Sequence, residues 1–184
     1  MARTTIIIPT YNRSSELCRA LSGLASQTDQ DFRVLVSDDG STDDTQKMLS
    51  LWQGRLNLTV VTGENSGLPA VARNRALGLV DSEFVAFLDS DDWWSPTKLE
   101  RSREYMQFGA DITYHDLFYS HEEVNVRFPR RVKTRALGMS PETALLKRGN
   151  GITTSSVVVR SERFLTNFFF SEDERLRWGD DFVG

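Results

Sequence analysis

Three closely spaced aspartates are the residues of this chain best suited to chemistry. Asp89, Asp91 and Asp92 follow the apolar segment 84–88 directly. Carboxylates this close repel one another, so a compensating positive charge is expected beside them at neutral pH. Mg²⁺ and Mn²⁺ prefer carboxylate, water and phosphate oxygens, and either ion would bridge the aspartates to a diphosphate. The alternative is an acidic turn that caps the helix predicted to begin near Pro96.

Other polar side chains follow apolar segments in the same way. Asp38 and Asp39 come shortly after the apolar segment 32–36. An aspartate accepts hydrogen bonds from NH and OH groups, so Asp39 would suit a nucleotide base or a ribose. A simple turn followed by a helix cap is the alternative for this pair. Arg73, on a predicted helix, would pair with the acidic cluster or with a phosphate, and a surface ion pair is its alternative.

The elements that must position these side chains alternate along the first half of the chain. Four segments rich in apolar residues are predicted as strands: 6–8, 32–36, 56–61 and 84–88. Amphipathic helices are predicted from about residue 14 to 24, around 48–52, over 68–79 and over 97–108. This alternation predicts a parallel sheet with helices on both faces. Ligands of such sheets bind beyond the carboxyl ends of the strands, so the polar segments 9–13, 38–42 and 89–92 should converge on one crevice.

The second half of the chain is less regular, and the composition limits its partners. Strands are predicted over 112–119, 124–128 and 152–159, and a helix over 140–146. A net charge of −4 argues against nucleic-acid binding. The single cysteine, Cys18, excludes a disulfide framework and fits a small core residue in a reducing cytoplasm. No transmembrane segment is expected from the apolar runs, and any membrane contact would be peripheral.

Four segments, taken together, resemble the family 2 inverting glycosyltransferases of GT-A fold. They are IIIPTYNR at 6–13, VSDDGSTD at 36–43, ARNRAL at 72–77 and FLDSDD at 87–92, the last resembling the DxD metal motif. Any one of these motifs is weak, but four in this order are specific. The resemblance covers essentially the whole chain and is strongest over 6–99.

The resemblance implies an α/β fold of GT-A-like, Rossmann-like type. Its central sheet would be mostly parallel with helices on both faces, and the C-terminal acceptor-side half would be less regular. A single domain is expected over 1–184. Residues 1–108 would form the nucleotide-sugar-binding half, and 109–184 an acceptor-side half that is truncated at its C-terminus.

The resemblance also implies a nucleotide-diphospho-sugar donor, most commonly a UDP-sugar, and a Mn²⁺ or Mg²⁺ ion. Asp91 would bind the metal directly, and Asp89 would bind it through water or lie near the ribose. Thr10, Tyr11 and Asp39 would seat the base and ribose. The nucleotide-sugar-binding residues expected in all are Pro9, Thr10, Tyr11, Arg13, Asp38, Asp39, Arg73, Asn74, Asp89 and Ser90.

The family's catalytic base is an aspartate of a late acidic pair, which Asp180 and Asp181 match here. Asp181 is expected to be the base and Asp180 the second choice; two solvated aspartates are the alternative. The enzyme would be an inverting, hexosyltransferase-type glycosyltransferase acting on a saccharide or lipid-linked acceptor. Surface polysaccharide or glycolipid synthesis is the expected setting, in the cytoplasm or at the inner face of the membrane.

Three other functions share some of these features. A nucleotide-binding module without transfer activity would keep the donor motifs. A phosphoacceptor receiver domain would place its acidic pair after the first strand, whereas that strand is followed here by Pro9, Thr10 and Tyr11. A nucleotidyltransferase would favour a glycine-rich, basic loop there, and the segment 9–13 contains no glycine.

Overall fold

The computed structural model describes residues 2–119, 130–134, 152–166 and 169–173. The first half alternates as β1 (Thr4–Thr10), α1 (Ser14–Ala25), β2 (Phe32–Asp38), α2 (Thr45–Trp52), β3 (Leu58–Thr62), α3 (Pro69–Leu77), β4 (Phe84–Phe87) and α4 (Lys98–Gln107). It is followed by β5 (Ile112–Thr113), β6 (Leu117–Tyr119), β7 (Arg130–Val132), a 3₁₀ turn (Thr154–Ser156), β8 (Val158–Arg160) and α5 (Ser161–Phe164).

The main sheet has the strand order β3-β2-β1-β4-β8-β5. Strands β1 to β4 are parallel, and β8 runs antiparallel between β4 and β5. The chain therefore adds β2 and β3 on one side of β1 and then crosses to β4 on its other side. This reversal opens a crevice at the carboxyl ends of β1 and β4, which is where ligands of such sheets bind. Strands β6 and β7 form a separate two-stranded sheet.

Both faces of the sheet are covered, which is why β1 is buried along its whole length. Ile6 and Ile8 point to one face and pack with residues of α1, α2 and α4. Ile7 points to the other face and packs with residues of α3 and with Phe170. A continuous β-branched run suits a strand buried on both sides. Helix α3 begins at Pro69, whose fixed φ fits the first helical turn.

The predicted alternation over 6–108 is confirmed, while three details of the sequence-based prediction are wrong. Leu79 lies beyond the end of α3 and is 48% exposed, so it does not belong to the buried helix face. The strand predicted over 112–119 is divided into β5 and β6, which belong to different sheets. The strand predicted over 152–159 forms only at Val158–Arg160, because the 3₁₀ turn occupies Thr154–Ser156. The strand predicted over 124–128 and the helix over 140–146 lie outside the described residues.

Candidate active site

A cleft of about 500 Å³ lies where the strand order reverses. Its walls come from the segments that follow β1, β2, β3 and β4, so residues far apart in sequence meet there. The lining residues are Pro9, Thr10, Tyr11, Arg13, Asp39, Asn65, Gly67, Leu68, Pro69, Ala72, Arg73, Asp89, Ser90 and Asp91. The convergence expected from the strand ends is therefore present in the structure.

Arginines neutralise the aspartates that follow β4. The Arg73 guanidinium lies 2.6 Å from Oδ1 of Asp89, and its side chain is only 4% exposed. Arg13 forms an ion pair with Asp91, and both of these side chains are about half exposed. The repulsion among the carboxylates predicted a compensating charge, and the arginines provide it within the protein. An exposed pair contributes only about 0–1 kcal/mol, so Asp91 can exchange Arg13 for another cation at little cost.

The backbone of Asp89 is fixed from the acceptor-side half. The Ser155 hydroxyl accepts a hydrogen bond of 3.0 Å from the Asp89 N–H and also bonds to the Asp92 carboxyl. Burial raises the pKa of Asp92, and the neighbouring charges of Asp89 and Asp91 raise it further. The hydrogen bond to Ser155 lowers this pKa and so offsets part of the rise. The Trp94 indole N–H donates to the Ser155 carbonyl at 2.7 Å. The 3₁₀ turn thus holds the acidic segment in a set position.

The carboxylate of Asp39 holds the opposite wall of the cleft. It accepts hydrogen bonds from the Ser66 N–H at 2.8 Å and the Gly67 N–H at 3.0 Å, and it pairs with Arg75 at 3.2 Å. The residue is only 4% exposed although it lines the cleft. Gly40, next to it, has φ of 80° and packs against the same wall, so a side chain there would be strained.

Two predicted nucleotide-binding residues lie outside the cleft lining. Asp38 is fully buried and accepts hydrogen bonds from the Ser41 N–H at 3.0 Å and from Gln46. It therefore shapes the turn after β2 and does not line the cleft. Asn74 directs its amide to the backbone of Phe170. The remaining predicted donor-site residues line the cleft, and the predicted bases Asp180 and Asp181 lie outside the described residues.

The wall that follows β3 is not among the residues predicted from the sequence. Asn65 and Gly67 line the cleft together with the start of α3. The same strand-end rule that selected the segments after β1, β2 and β4 applies to β3, and a polar, glycine-containing segment follows that strand. The signal was therefore present in the sequence.

The cleft offers suitable oxygen ligands for a divalent cation. Asp89 and Asp91 both line it, and carboxylate oxygens suit Mg²⁺ and Mn²⁺. Within the described ranges no group of three or more acidic, histidine or cysteine side chains forms a metal cluster. The two aspartates therefore fit an ion whose other ligands come from water and a diphosphate, as is usual for Mg²⁺.

Comparison with known proteins decides the family. The model of Glycosyl transferase family 2 matches residues 5–165. The chain belongs to glycosyl transferase family 2. The resemblance found in the four motifs is thus confirmed, and a phosphoacceptor receiver domain is excluded. The mainly parallel α/β sheet is the fold that this membership predicts.

Curated relatives of the chain include a succinoglycan biosynthesis protein and a glucosyltransferase. The chain is 42% identical over 132 residues to the succinoglycan biosynthesis protein ExoW of Rhizobium meliloti, covering 66% of this chain and 41% of that protein. It is 40% identical over 97 residues to WfgD of Escherichia coli, a UDP-Glc:alpha-D-GlcNAc-diphosphoundecaprenol beta-1,3-glucosyltransferase, covering 52% of this chain and 38% of WfgD. This chain thus spans less than half the length of either relative.

A solved structure extends the similarity to the three-dimensional level. The crystal structure of S. aureus TarS in complex with UDP-GlcNAc matches with a TM-score of 0.70 and 27% identity, covering 92% of this chain and 48% of that one.

In the described part of the present chain, no helix has the length and apolar character needed to cross a membrane.

Proposed function

We propose that this chain is the catalytic part of a metal-dependent, inverting glycosyltransferase that uses a UDP-sugar. The observation that carries the proposal is the cleft where the strand order reverses. The charged side chains that converge there are Asp39, Asp89, Asp91, Arg13 and Arg73. Family membership supports glycosyl transfer. The UDP-GlcNAc complex of TarS and the UDP-Glc named for WfgD support a uridine nucleotide as the donor.

The cleft divides into parts that suit the two ends of such a donor. Tyr11, which is 41% exposed, offers a ring for the base, and Thr10 and Asp39 lie on the same side. Arg13 and Arg73 supply positive charge for a diphosphate, because guanidinium groups bind phosphate oxygens by directed hydrogen bonds. The cleft therefore has a nucleoside end beside β1 and β2 and a phosphate end beside α3 and β4.

Asp91, together with Asp89, would hold Mn²⁺ or Mg²⁺ at the phosphate end. When bound, the ion supplies neutralisation of the charge on the departing nucleoside diphosphate. Asp91 is the better direct ligand because its side chain is 51% exposed, whereas that of Asp89 is 34% exposed and pairs with buried Arg73. Ser155 keeps the backbone of Asp89 in place during binding.

The transfer step needs a base on the acceptor side. We assign it to Asp181, with Asp180 as the second choice, on the family pattern. The carboxylate takes the proton of an acceptor hydroxyl as the hydroxyl oxygen bonds to the anomeric carbon. The bond from that carbon to the diphosphate breaks on the opposite face, so the configuration inverts and UDP leaves.

Residues 1–108 would form the donor half and 109–184 the acceptor half of one domain. ExoW and WfgD support a saccharide or lipid-linked acceptor and a role in surface polysaccharide or glycolipid synthesis. Such synthesis would take place in the cytoplasm, at the inner face of the membrane.

The experiment that tests transfer is a screen of UDP-sugars with Mn²⁺, in which released UDP and the anomeric configuration of the product are measured. The wild type is expected to release UDP and to form a product of inverted configuration. Asp181→Asn is expected to release no UDP. A protein that binds UDP but releases none from any donor would instead be a nucleotide-binding module. Retention of configuration would contradict the inverting mechanism.

A further inference from the structure

Asn74 makes an unusually complete contact with the backbone of a distant residue. Its Oδ1 accepts the Phe170 N–H at 2.9 Å, and its Nδ2 donates to the Phe170 carbonyl at 2.9 Å. The same Nδ2 donates to Oε1 of Glu172 at 2.8 Å. Both N–H groups of the amide and one lone pair of its oxygen are therefore committed to the segment 169–173. Asn74 has no N–H left to donate to a nucleotide in this arrangement.

The contact places the Phe170 ring in the core beneath the cleft. Phe170 is 1% exposed, and its ring packs edge-on against Phe87 of β4 with 5.1 Å between centroids. The next aromatic ring of this cluster, Phe164, lies 5.5 Å from Phe87. Because the backbone of Phe170 is held on both its N–H and its carbonyl, its ring has a defined position relative to α3.

The ring in turn supports the buried arginine of the donor site. The Arg73 guanidinium carbon lies 5.1 Å from the centre of the Phe170 ring, within the range of a cation–π contact. The same guanidinium pairs with Asp89 through its Nη2 at 2.6 Å. Arg73 and Asn74 are neighbours on α3. Asn74 holds the backbone of Phe170, and the Phe170 ring is the surface against which Arg73 packs.

We propose that Asn74 is a positioning residue that fixes Phe170 beneath Arg73, and so sets the guanidinium that meets the donor diphosphate. This inference rests on the proposed function for its ligand, although the contacts themselves do not. It also gives Phe170, on the acceptor side, a part in donor binding. A role for Asn74 as a direct nucleotide ligand is the competing account.

A double-mutant cycle distinguishes these accounts. Asn74→Ala, Phe170→Leu and the double variant are compared by calorimetric titration of UDP in the presence of Mn²⁺, with urea unfolding of each. Each single change is expected to weaken UDP binding about threefold to tenfold. The double variant should lose no more UDP affinity than the single variant that binds UDP more weakly. Losses that multiply would support direct contact with the nucleotide and overturn the proposal, as would unchanged UDP affinity in a folded Asn74→Ala protein.

Matched controls are available on exposed residues of the same types. Phe169→Leu changes the neighbouring ring, which is 72% exposed, and Asn57→Ala changes an exposed asparagine. Both should leave UDP affinity within about twofold of the wild type. If Asn74→Ala does not fold, Asn74→Asp retains an acceptor for the Phe170 N–H but turns a charged oxygen toward the Phe170 carbonyl and Glu172, so UDP affinity is expected to fall at least as far.

A second measurement tests the positioning without any ligand. The Arg73 Nε–H resonance in ¹⁵N-edited spectra should move on Phe170→Leu, because the ring current is removed. Asn74→Ala should move it in the same direction, and Phe169→Leu should not. An unmoved Arg73 resonance in Asn74→Ala overturns the positioning proposal, whether or not any of the proteins binds UDP. Failure of UDP binding in every protein, including the wild type, would instead contradict the proposed function.

Discussion

Lys98 gives the sharpest stability prediction because its ammonium group is buried beneath the turn that holds the active-site segment. The side chain lies over the Trp94 ring at 4.7 Å and donates to the Ser156 carbonyl and the Ser102 hydroxyl, each at 3.2 Å. Burial lowers the pKa of Lys98 from 10.5 to about 7. No carboxylate pairs with it among the described residues.

The sign of the pH dependence follows from where the proton is held. Between pH 7 and 10.5 the unfolded chain keeps the Lys98 proton and the folded chain releases it. The free energy of unfolding therefore rises as the pH increases across this window. One pKa unit corresponds to about 1.4 kcal/mol, so the full shift costs the folded state about 5 kcal/mol below pH 7. About 2 kcal/mol of that cost is removed between pH 7 and pH 9.

Urea unfolding of the wild type and Lys98→Met at pH 7 and pH 9 measures this effect. The difference in unfolding free energy between the two proteins should change by about 2 kcal/mol in favour of the wild type at pH 9. Lys47→Met, which alters an exposed lysine, should show no such change. Parallel pH dependence of the wild type and Lys98→Met would refute the conclusion that burial lowers the pKa of Lys98.

Three other predictions concern the cleft. Ser155→Ala removes the acceptor of the Asp89 N–H, so the free energy of unfolding in urea should fall by about 1–3 kcal/mol and UDP should bind more weakly in the presence of Mn²⁺. An unchanged unfolding free energy and an unchanged UDP affinity would contradict the role of Ser155 as a support. Arg13→Gln should change the unfolding free energy by less than about 1 kcal/mol, because its pair with Asp91 is exposed, yet weaken UDP binding in calorimetry. Gly40→Ala forces a side chain into a positive-φ position, so a loss of about 1–3 kcal/mol is expected in thermal unfolding, and a neutral result would argue against this turn.

The parts of the fold that the sequence predicts well are those with clear periodicity. The runs 6–8, 34–36 and 84–88 are continuous and apolar because both faces of the sheet are covered. Their order also predicts where the polar strand ends meet. The segment 152–159 reads as a strand by composition, but its serines satisfy the backbone of Asp89 and close a turn, which is a tertiary demand that no local pattern reveals.

The site itself was predictable in location and less so in its contacts. Strand ends brought Asp89 and Asp91 into one cleft with Arg73. Spacing alone does not reveal that Arg73 is buried against Asp89, or that Asn74 reaches a residue 96 positions away. Partners this distant in sequence depend on how the second half of the chain packs, and that half lacks the periodicity on which prediction rests.

The measurement that tests the central claim most directly is calorimetric titration of UDP into the protein with and without Mn²⁺, repeated with Asp91→Asn. Binding that requires Mn²⁺ and falls at least about tenfold in the variant is predicted, because the amide loses the charge that binds the ion. Ser50→Ala, an exposed change on α2, serves as the control and should bind like the wild type. UDP binding by a folded protein that is indifferent to both Mn²⁺ and Asp91→Asn, or no binding at all, would contradict a metal-dependent donor site in this cleft.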